Sequence, residues 1–527
     1  MKDVMSKANI LFLYATQATS TRKWIYVEAC RELTRAYGHK VVFCYNGPKI
    51  AGIEDLRVEH FESWVDQNHD RIQRESLRAL ERRFPQSNLW RSVVIERNLT
   101  DYSYVGASSM SSTYSLPEIE WYLKALVLFY DYVFDRYEID VAFNQVSDNI
   151  HAHVVYELAR SKEILPLSVG RGLYWFDDMI YPQTELNFGS DALRDRYRFL
   201  RTNCGSSSAE RNEWLEQQIV KFCSTEASEK RPNIIYSKTI WTMTMNALLG
   251  LRESFGNLRI LRPSVLESNL YLSFWATIKA YVVRCWNLGA SRLVRRARSL
   301  PEDPFVFLPL HYQPEAALLG ASPGYLDQLA LVRLLSASLP AGYRLVVKDH
   351  PVTGGTHGPA FYRSMKKLGN VVLMDEGVSG RVITRAANCA LVASIGGTVG
   401  LEAMLSGKPV LLFGRTYYDC VDTLLKPPGD LNDLPLFMKR TLVFGEHPRS
   451  DEIAADGRTF LTAFLSIMTP AGKATYWAQD DTMGAGRDWA RLVHELILQV
   501  KSAEVACQPV VQRDEQVQTG FSHREHL

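Results

Sequence analysis

The chain lacks most of the short signatures that would name a chemistry at once. Its 527 residues hold no GxxxxGK[ST], which excludes a P-loop nucleotide hydrolase, and no HExxH or clustered His/Cys set for a metal. The turn after the first apolar run reads Thr16-Gln-Ala-Thr-Ser-Thr-Arg22 instead of GxGxxG, which argues against a nicotinamide oxidoreductase. The eight cysteines are scattered with no CxxC pair, so neither a disulfide scaffold nor a structural zinc site is expected. A reduced, cytoplasmic compartment is the simplest reading. No apolar stretch approaches the roughly 18–20 residues of a membrane-spanning helix. The most apolar window, Tyr122 to Phe134, carries Lys124 and Asp131 and reads as a core helix. Charge of one sign is also missing: 60 Lys+Arg against 58 Asp+Glu leave +2, so no global field points to nucleic acid.

The rhythm of the chain is that of an α/β protein. The run 10–15 is a buried strand, too brief for a signal segment. A helix follows to about Tyr37, stopped by Gly38, and 40–45 is the next strand. Residues 60–100 are charged and helical in pattern, and 106–115 is a Ser-rich loop. A helix over 117–136 leads to strand 141–146, a helix capped by Ser147 and a strand at 165–170. From 304 the alternation sharpens: strands at 305–310, 344–348, 371–374, 389–393 and 409–413 are separated by four helices. Such alternation needs right-handed crossovers and gives parallel sheets covered on both faces. The fold class expected is therefore α/β, with two Rossmann-like domains in a GT-B-type arrangement and helical insertions. The expected units are a Rossmann-like domain over 1–175, a helical linker region over 176–300, a second Rossmann-like domain over 301–470, a helical segment over 471–500 and a polar, disordered tail over 501–527. On a GT-B reading the first would face the acceptor and the second the nucleotide sugar.

Ligands of open α/β sheets bind beyond the carboxyl ends of the strands, which selects four loops. In Ser394-Ile-Gly396-Gly397-Thr398-Val-Gly-Leu-Glu402 the glycines let backbone amides approach a phosphate, and Glu402 is placed to accept a ribose hydroxyl. The same turn would also be written by packing alone. Lys348-Asp-His350-Pro, at a strand end, offers a cation for phosphate and an imidazole that donates a hydrogen bond or acts as an acid. His311, Tyr312, Gln313 and Glu315 follow the strand at 305–310 and read either as a sugar- or base-binding loop or as a solvated one. Asn144-Gln-Val-Ser147-Asp148-Asn-Ile-His151 places a carboxylate and an imidazole near a helix mouth. They read as catalytic base or nucleophile, or as an N-cap needing no chemistry. Lys279, Arg284, Arg292, Arg295, Arg296 and Arg298 interleave with Trp275, Tyr281 and Trp286, a segment 275–298 suited to anionic lipid or to plain solvent.

Three of these stretches, LPLHYQPE (308–315), VVKDHP (346–351) and SIGGTVGLEAMLSGKPVLLFG (394–414), together resemble the bacterial capsule polysaccharide biosynthesis family. These are GT-B-type proteins that include transferases of Kdo from CMP-Kdo. The resemblance implies a cytoplasmic glycosyltransferase of surface polysaccharide synthesis, placed at the inner face of the membrane if 275–298 meets lipid. It further implies that Lys348 and His350 contact the donor phosphate and that Ser394 to Thr398 form the phosphate-facing turn. The partners expected are a CMP- or UDP-linked sugar as donor and a glycan or lipid-linked glycan as acceptor, with no metal or other cofactor required. A glycerophosphotransferase, a nucleotide-sugar epimerase and a non-catalytic carbohydrate-binding protein are the competing readings on the same scaffold.

Overall fold

Two sheets of like topology organise the chain in the computed structural model. It describes residues 7–15, 20–96, 99, 114–144, 149–171, 179–186, 188–203, 217, 220, 265–267, 274–313, 316–350, 355–474 and 481–501. The Ser-rich loop at 106–113 and the tail beyond 501 lie outside them.

The first sheet is built from β1 (Asn9–Tyr14), β2 (Lys40–Tyr45), β3 (Arg57–His60), β4 (Val141–Asn144), β5 (Leu165–Arg171) and β6 (Met179–Gln183). The second takes β7 (Phe305–Pro309), β8 (Arg344–Lys348), β9 (Val371–Leu373), β10 (Cys389–Ser394) and β11 (Val410–Leu412). A two-residue β12 (Thr469–Pro470) then returns to the first sheet. The spatial orders are β12-β6-β5-β4-β1-β2-β3 and β11-β10-β7-β8-β9. Every pair in the second sheet is parallel. In the first, β6 and β12 are antiparallel to their neighbours. The α/β reading with two Rossmann-like units is what the chain adopts.

Apolar runs became strands because both sheet faces are covered: Ile10, Leu11 and Phe12 are wholly buried, as are Phe305, Val306, Phe307 and Leu308. Charged Arg57–His60 forms the edge strand β3 just ahead of the stretch expected to be helical, where helices Phe61–Arg74, Leu77–Arg83 and Leu89–Ile95 follow. The helix after β4 starts at Ile150 and is capped by Asn149, whose side chain accepts from the Ala152 amide at 3.0 Å, so Asn149 takes the role expected of Ser147. Helix Leu116–Tyr137 opens with a capping box in which the Ser115 amide donates to Glu118 Oε2 at 2.7 Å. Its buried Asp131 pairs with Arg83 and, at 2.7 Å, with Lys162.

The chain crosses back after its second sheet. Thr469 pairs with Ile180, and helix Thr482–Lys501 packs along helix Ser20–Arg35, over the face of β1. Trp489 meets Tyr26 edge-on at 5.9 Å, and Leu492, Val493 and Leu496 are fully buried there. Gly486 sets the helix separation, because a Cβ on it would stand 2.6 Å from Glu28 Cβ. A second link runs the other way. Arg91 Nη2, in helix Leu89–Ile95, donates to Gly320 O at 2.6 Å, and Ile95 is buried in the second sheet's core beside Leu318 and Leu319.

Because Leu496 leaves a cavity inside the first domain's core when truncated, Leu496→Ala should cost about 2–5 kcal/mol. The denaturant midpoint of the full chain reads that loss, and a change within about 0.5 kcal/mol would mean that the returning helix is not part of the folded core.

Candidate functional site

In the second sheet β7 is central, and the chain leaves it first toward β8 and β9, then on the opposite side toward β10 and β11. The parting between β7 and β10 is the topological switch point, where loops diverge to opposite faces and leave a crevice. Register puts three loops at one level. Pro309 pairs with Lys348 across β7 and β8, and Phe307 with Val392 across β7 and β10, so Lys348, Pro309 and Ser394 form one row. At ~4.8 Å per strand the row spans about 10 Å. His311, Lys348–His350 and the Ser394–Thr398 turn therefore share the carboxyl rim.

Each loop is braced from outside the rim. The Gln328 side chain, buried at the head of helix Gln328–Ser338, clamps the His311 backbone: it accepts from His311 N at 2.7 Å and donates to His311 O at 3.1 Å. Asp349, between Lys348 and His350, is 1% exposed. It accepts from the His350 amide at 3.0 Å and from the Tyr362 hydroxyl. The Arg296 guanidinium lies 4.7 Å from the Tyr362 ring centre and pairs with Glu376. Lys348 is buried at the end of β8, while His350 is half-buried with its ring 6.5 Å from Tyr312.

The glycine turn answers both readings the sequence left open. Gly400 is required by packing, since a Cβ would overlap the Tyr418 hydroxyl, and a Cβ on Gly396 would stand 3.1 Å from Arg415 O. Gly397 differs: its missing side chain would point at the His311 ring, 3.6 Å away, across the crevice. Thr416 Oγ1 donates to Gly396 O at 2.9 Å and the Tyr418 hydroxyl to Gly397 O at 2.6 Å. In a trans peptide the N–H points opposite to its carbonyl, so the Gly397 and Thr398 amides face away from the 415–418 loop. Helix Val399–Leu405, which follows, has only seven residues and adds little dipole.

Several sequence expectations are corrected. His151 is not at a cleft. It is fully buried, with Tyr122 Oη 3.0 Å from Nε2 and Tyr130 Oη 2.7 Å from Nδ1, and Phe61 edge-on to the ring. Burial pushes its pKa down to about 3. His153, equally buried and also held to about 3, first by burial and then by Arg91, sits 3.0 Å from Ser92 Oγ. Gln313 is 2% exposed and donates to Leu326 O at 2.5 Å, so it braces the loop instead of facing a sugar or base. Glu402 turns both oxygens to Arg381, at 3.2 and 3.3 Å, and this ion pair replaces the expected ribose contact. Asp148 and Glu315 lie outside the described residues, as does Pro351. His311, Tyr312, Lys348, His350, Ser394, Gly396, Gly397 and Thr398 are brought together. Gln328, Asp349 and Tyr362 were missed, because each acts through the backbone or through another side chain, Gln328 from 17 residues away and Tyr362 from 13. Arg296, read with the basic segment, turns inward to Tyr362 instead.

The family model described as Capsule polysaccharide biosynthesis protein matches residues 324–422, which hold Lys348, His350 and the whole Ser394–Thr398 turn. This stretch is similar to the capsule polysaccharide biosynthesis family. No curated protein matches the chain. Among solved structures, KpsC of Thermosulfurimonas dismutans, described as a beta Kdo 2,7 transferase, is 13% identical over 70% of this chain and 95% of its own, with a TM-score of 0.28. The beta Kdo 2,4 transferase of the same KpsC is 12% identical over 64% and 83%, at 0.30. The UDP-GlcNAc 2-epimerase from Neisseria meningitidis bound to UDP-GlcNAc is 12% identical over 87% and 99%, at 0.23. At these values none of the three bears on the substrate. Among the described residues no three His, Cys, Asp or Glu side chains gather as a metal site.

Burial of His151 has a pH signature. Its folded pKa of about 3 lies below the ~6.5 of an unfolded histidine, so between those values the unfolded chain binds the extra proton. Stability is therefore full above about pH 6.5 and falls as pH drops, by ~1.4 kcal/mol per pH unit for this one proton. Urea midpoints between pH 6 and 4.5 should show a slope shallower by that amount in His151→Gln, whatever its loss at pH 7. An unchanged slope would put the imidazole back in solvent.

Proposed function

We propose that the protein is a glycosyltransferase of bacterial surface polysaccharide biosynthesis that binds its nucleotide-sugar donor at the β7/β10 crevice. The observation that carries this reading is the convergence of His311, Lys348, His350 and the Gly396–Gly397 turn on one rim at the switch point. A sugar nucleotide presents a phosphate whose negative charge grows as the glycosidic bond breaks. A lysine, two imidazoles and the turn amides, fixed before the donor arrives, stabilise that charge without reorganising. Tyr312, beside His350, offers a ring face to the sugar or base. Donor phosphate held by cationic side chains needs no bridging metal, so turnover should persist in EDTA.

The acceptor hydroxyl approaches from the first sheet, whose own switch point lies between β1 and β4. There Asn149 Nδ2 donates to Ala15 O at 2.8 Å and ties the two strand exits together. Asp148, the preceding residue, is the carboxylate we assign as base or nucleophile, since His151 is enclosed. The family match over 324–422 supports surface-polysaccharide synthesis; a CMP-linked Kdo and a UDP-linked sugar are the two donors to be distinguished.

A thermal-shift panel of CMP, UDP, GDP, CDP-glycerol and freshly generated CMP-Kdo tests the site, because a ligand that binds only the folded state raises the Tm by mass action. Stabilisation by CMP or CMP-Kdo, lost in Lys348→Ala and in His350→Ala, is the expected result. Stabilisation by UDP alone keeps the site and changes the donor. A shift that survives both substitutions sinks the phosphate assignment. Products formed from the donor with no acceptor added would favour an epimerase.

A further inference from the structure

The segment after the first domain is the most one-sided in charge on the chain. Between Glu267 and Glu302 it holds six Lys or Arg and no Asp or Glu, in a protein whose net charge is +2. The structure divides this segment into an inward and an outward side. Helix Phe274–Ser291 is fastened to the second domain by Asn287, 8% exposed, whose Nδ2 donates to Gly355 O at 3.2 Å, and by buried Leu288. Gly355, at φ +77°, lets its loop come against the Arg284 carbonyl, which a Cβ would overlap. Beyond the helix, Ala297 bridges to Met374, with its amide 2.8 Å from Leu373 O, so the segment lies along the edge of β9. Arg296 points inward to Tyr362 and Glu376.

The outward side carries apolar groups that no described residue covers. Val282 is 57% exposed, Trp286 73% and Leu293 88%. Their spacing of four and seven residues puts them on one face, and the turn is continued past the helix by the Leu293 and Val294 amides bonding to Ala290 O and Ser291 O. Arg292, Arg295 and Arg298 are exposed beside them. A large ring and two aliphatic side chains in water, with Arg292, Arg295 and Arg298 exposed in the same segment and Arg298 4.0 Å from Asp375 at its far end, match the two halves of a lipid interface: acyl boundary below, phosphate above.

We infer that the outer face of helix Phe274–Ser291 and the arginine segment that follows it form a docking surface for an anionic phospholipid bilayer. Trp286, Val282 and Leu293 enter the headgroup–acyl boundary while Arg292, Arg295 and Arg298 meet lipid phosphates. Attachment is peripheral, because among the described residues no helix is long and apolar enough to cross a membrane. The surface lies on the domain that carries the candidate donor site, yet the inference does not rest on what that site binds.

Flotation of the full chain with vesicles of pure phosphatidylcholine and of phosphatidylcholine with phosphatidylglycerol tests it. The expected result is recovery with the anionic vesicles only, weakened by added salt. Arg292→Gln/Arg295→Gln/Arg298→Gln should weaken partitioning on the order of 100-fold, at about fivefold per arginine. Trp286→Ser/Leu293→Ser should weaken it at least about tenfold. All five side chains are exposed, so circular dichroism and Tm should match the parent protein, and nucleotide shifts of the same variants keep the donor reading separate. Equal recovery with both vesicle types, or variants that float like the parent, overturns the inference. So does a Trp286→Ser/Leu293→Ser variant that loses self-association by sedimentation velocity while keeping vesicle binding, which would assign the face to a second copy of this chain.

Discussion

The position of β7 between β10 and β8 is the constraint from which the site follows. A strand whose successors leave toward opposite edges cannot have its exit loop and that of β10 covered by the same helix, so the rim stays open there. What fills that opening is decided by register, not by flexibility. One row of paired residues fixes the height of Lys348, and the glycine turn begins at the same height. The Gln328 clamp on His311 and the Tyr362–Asp349 contact convert these strand ends into rigid supports. On the proposed donor reading such rigidity is a gain, since donors already in place cost no reorganisation as charge develops.

The two domains are not independent beads. The first lends helix Leu89–Ile95 to the second, through Arg91 and Ile95, and the second returns the chain through β12 to the sheet it left. Helix Asp191–Asn203 adds a third tie, with the Tyr197 hydroxyl donating to buried Asp456 at 2.7 Å and a core that joins Tyr181 and Tyr197 to Phe460 and Phe464. Contacts this apolar resist free swinging more than the polar contacts usual between domains of one chain.

The sequence showed the parallel strands because strands buried on both faces are written as unbroken Val, Leu, Ile and Phe runs, as in FVFLPL and RLVVK. It hid β3, β6 and β12 for the opposite reason. They are edge or antiparallel pieces carrying Arg57, Glu59, Pro182 and Pro470, and their pairing is set by partners far along the chain. The same division runs through the site. Lys348, His350 and the glycine turn could be found because strand ends are where ligands go, a rule that needs no coordinates. His151 could not be judged that way. Its helix is buried on nearly every side, and the tyrosines that enclose it come from a helix 21 and 29 residues earlier. Glu402 and Gln313 failed similarly: a polar residue near a rim reads alike whether it faces ligand or braces the fold until its partner is known.

Arg296 joins the outward surface to the rim. It sits one residue from Ala297, whose bridge to Met374 holds the arginine segment on β9, and its guanidinium covers the ring whose hydroxyl reaches Asp349. Asp349 in turn lies between Lys348 and His350 and fixes the His350 amide. Displacing the segment from β9 therefore strips Tyr362 of its cation before it disturbs any group on the rim. A neutral glutamine at 295 or 298 removes none of these contacts: both side chains are exposed, and Arg298 meets Asp375, at 4.0 Å, outside that chain of contacts. The surface lies on the β9 edge of the sheet whose inner strands carry the rim, and Arg296 marks where the outward half of the segment ends and the inward half begins.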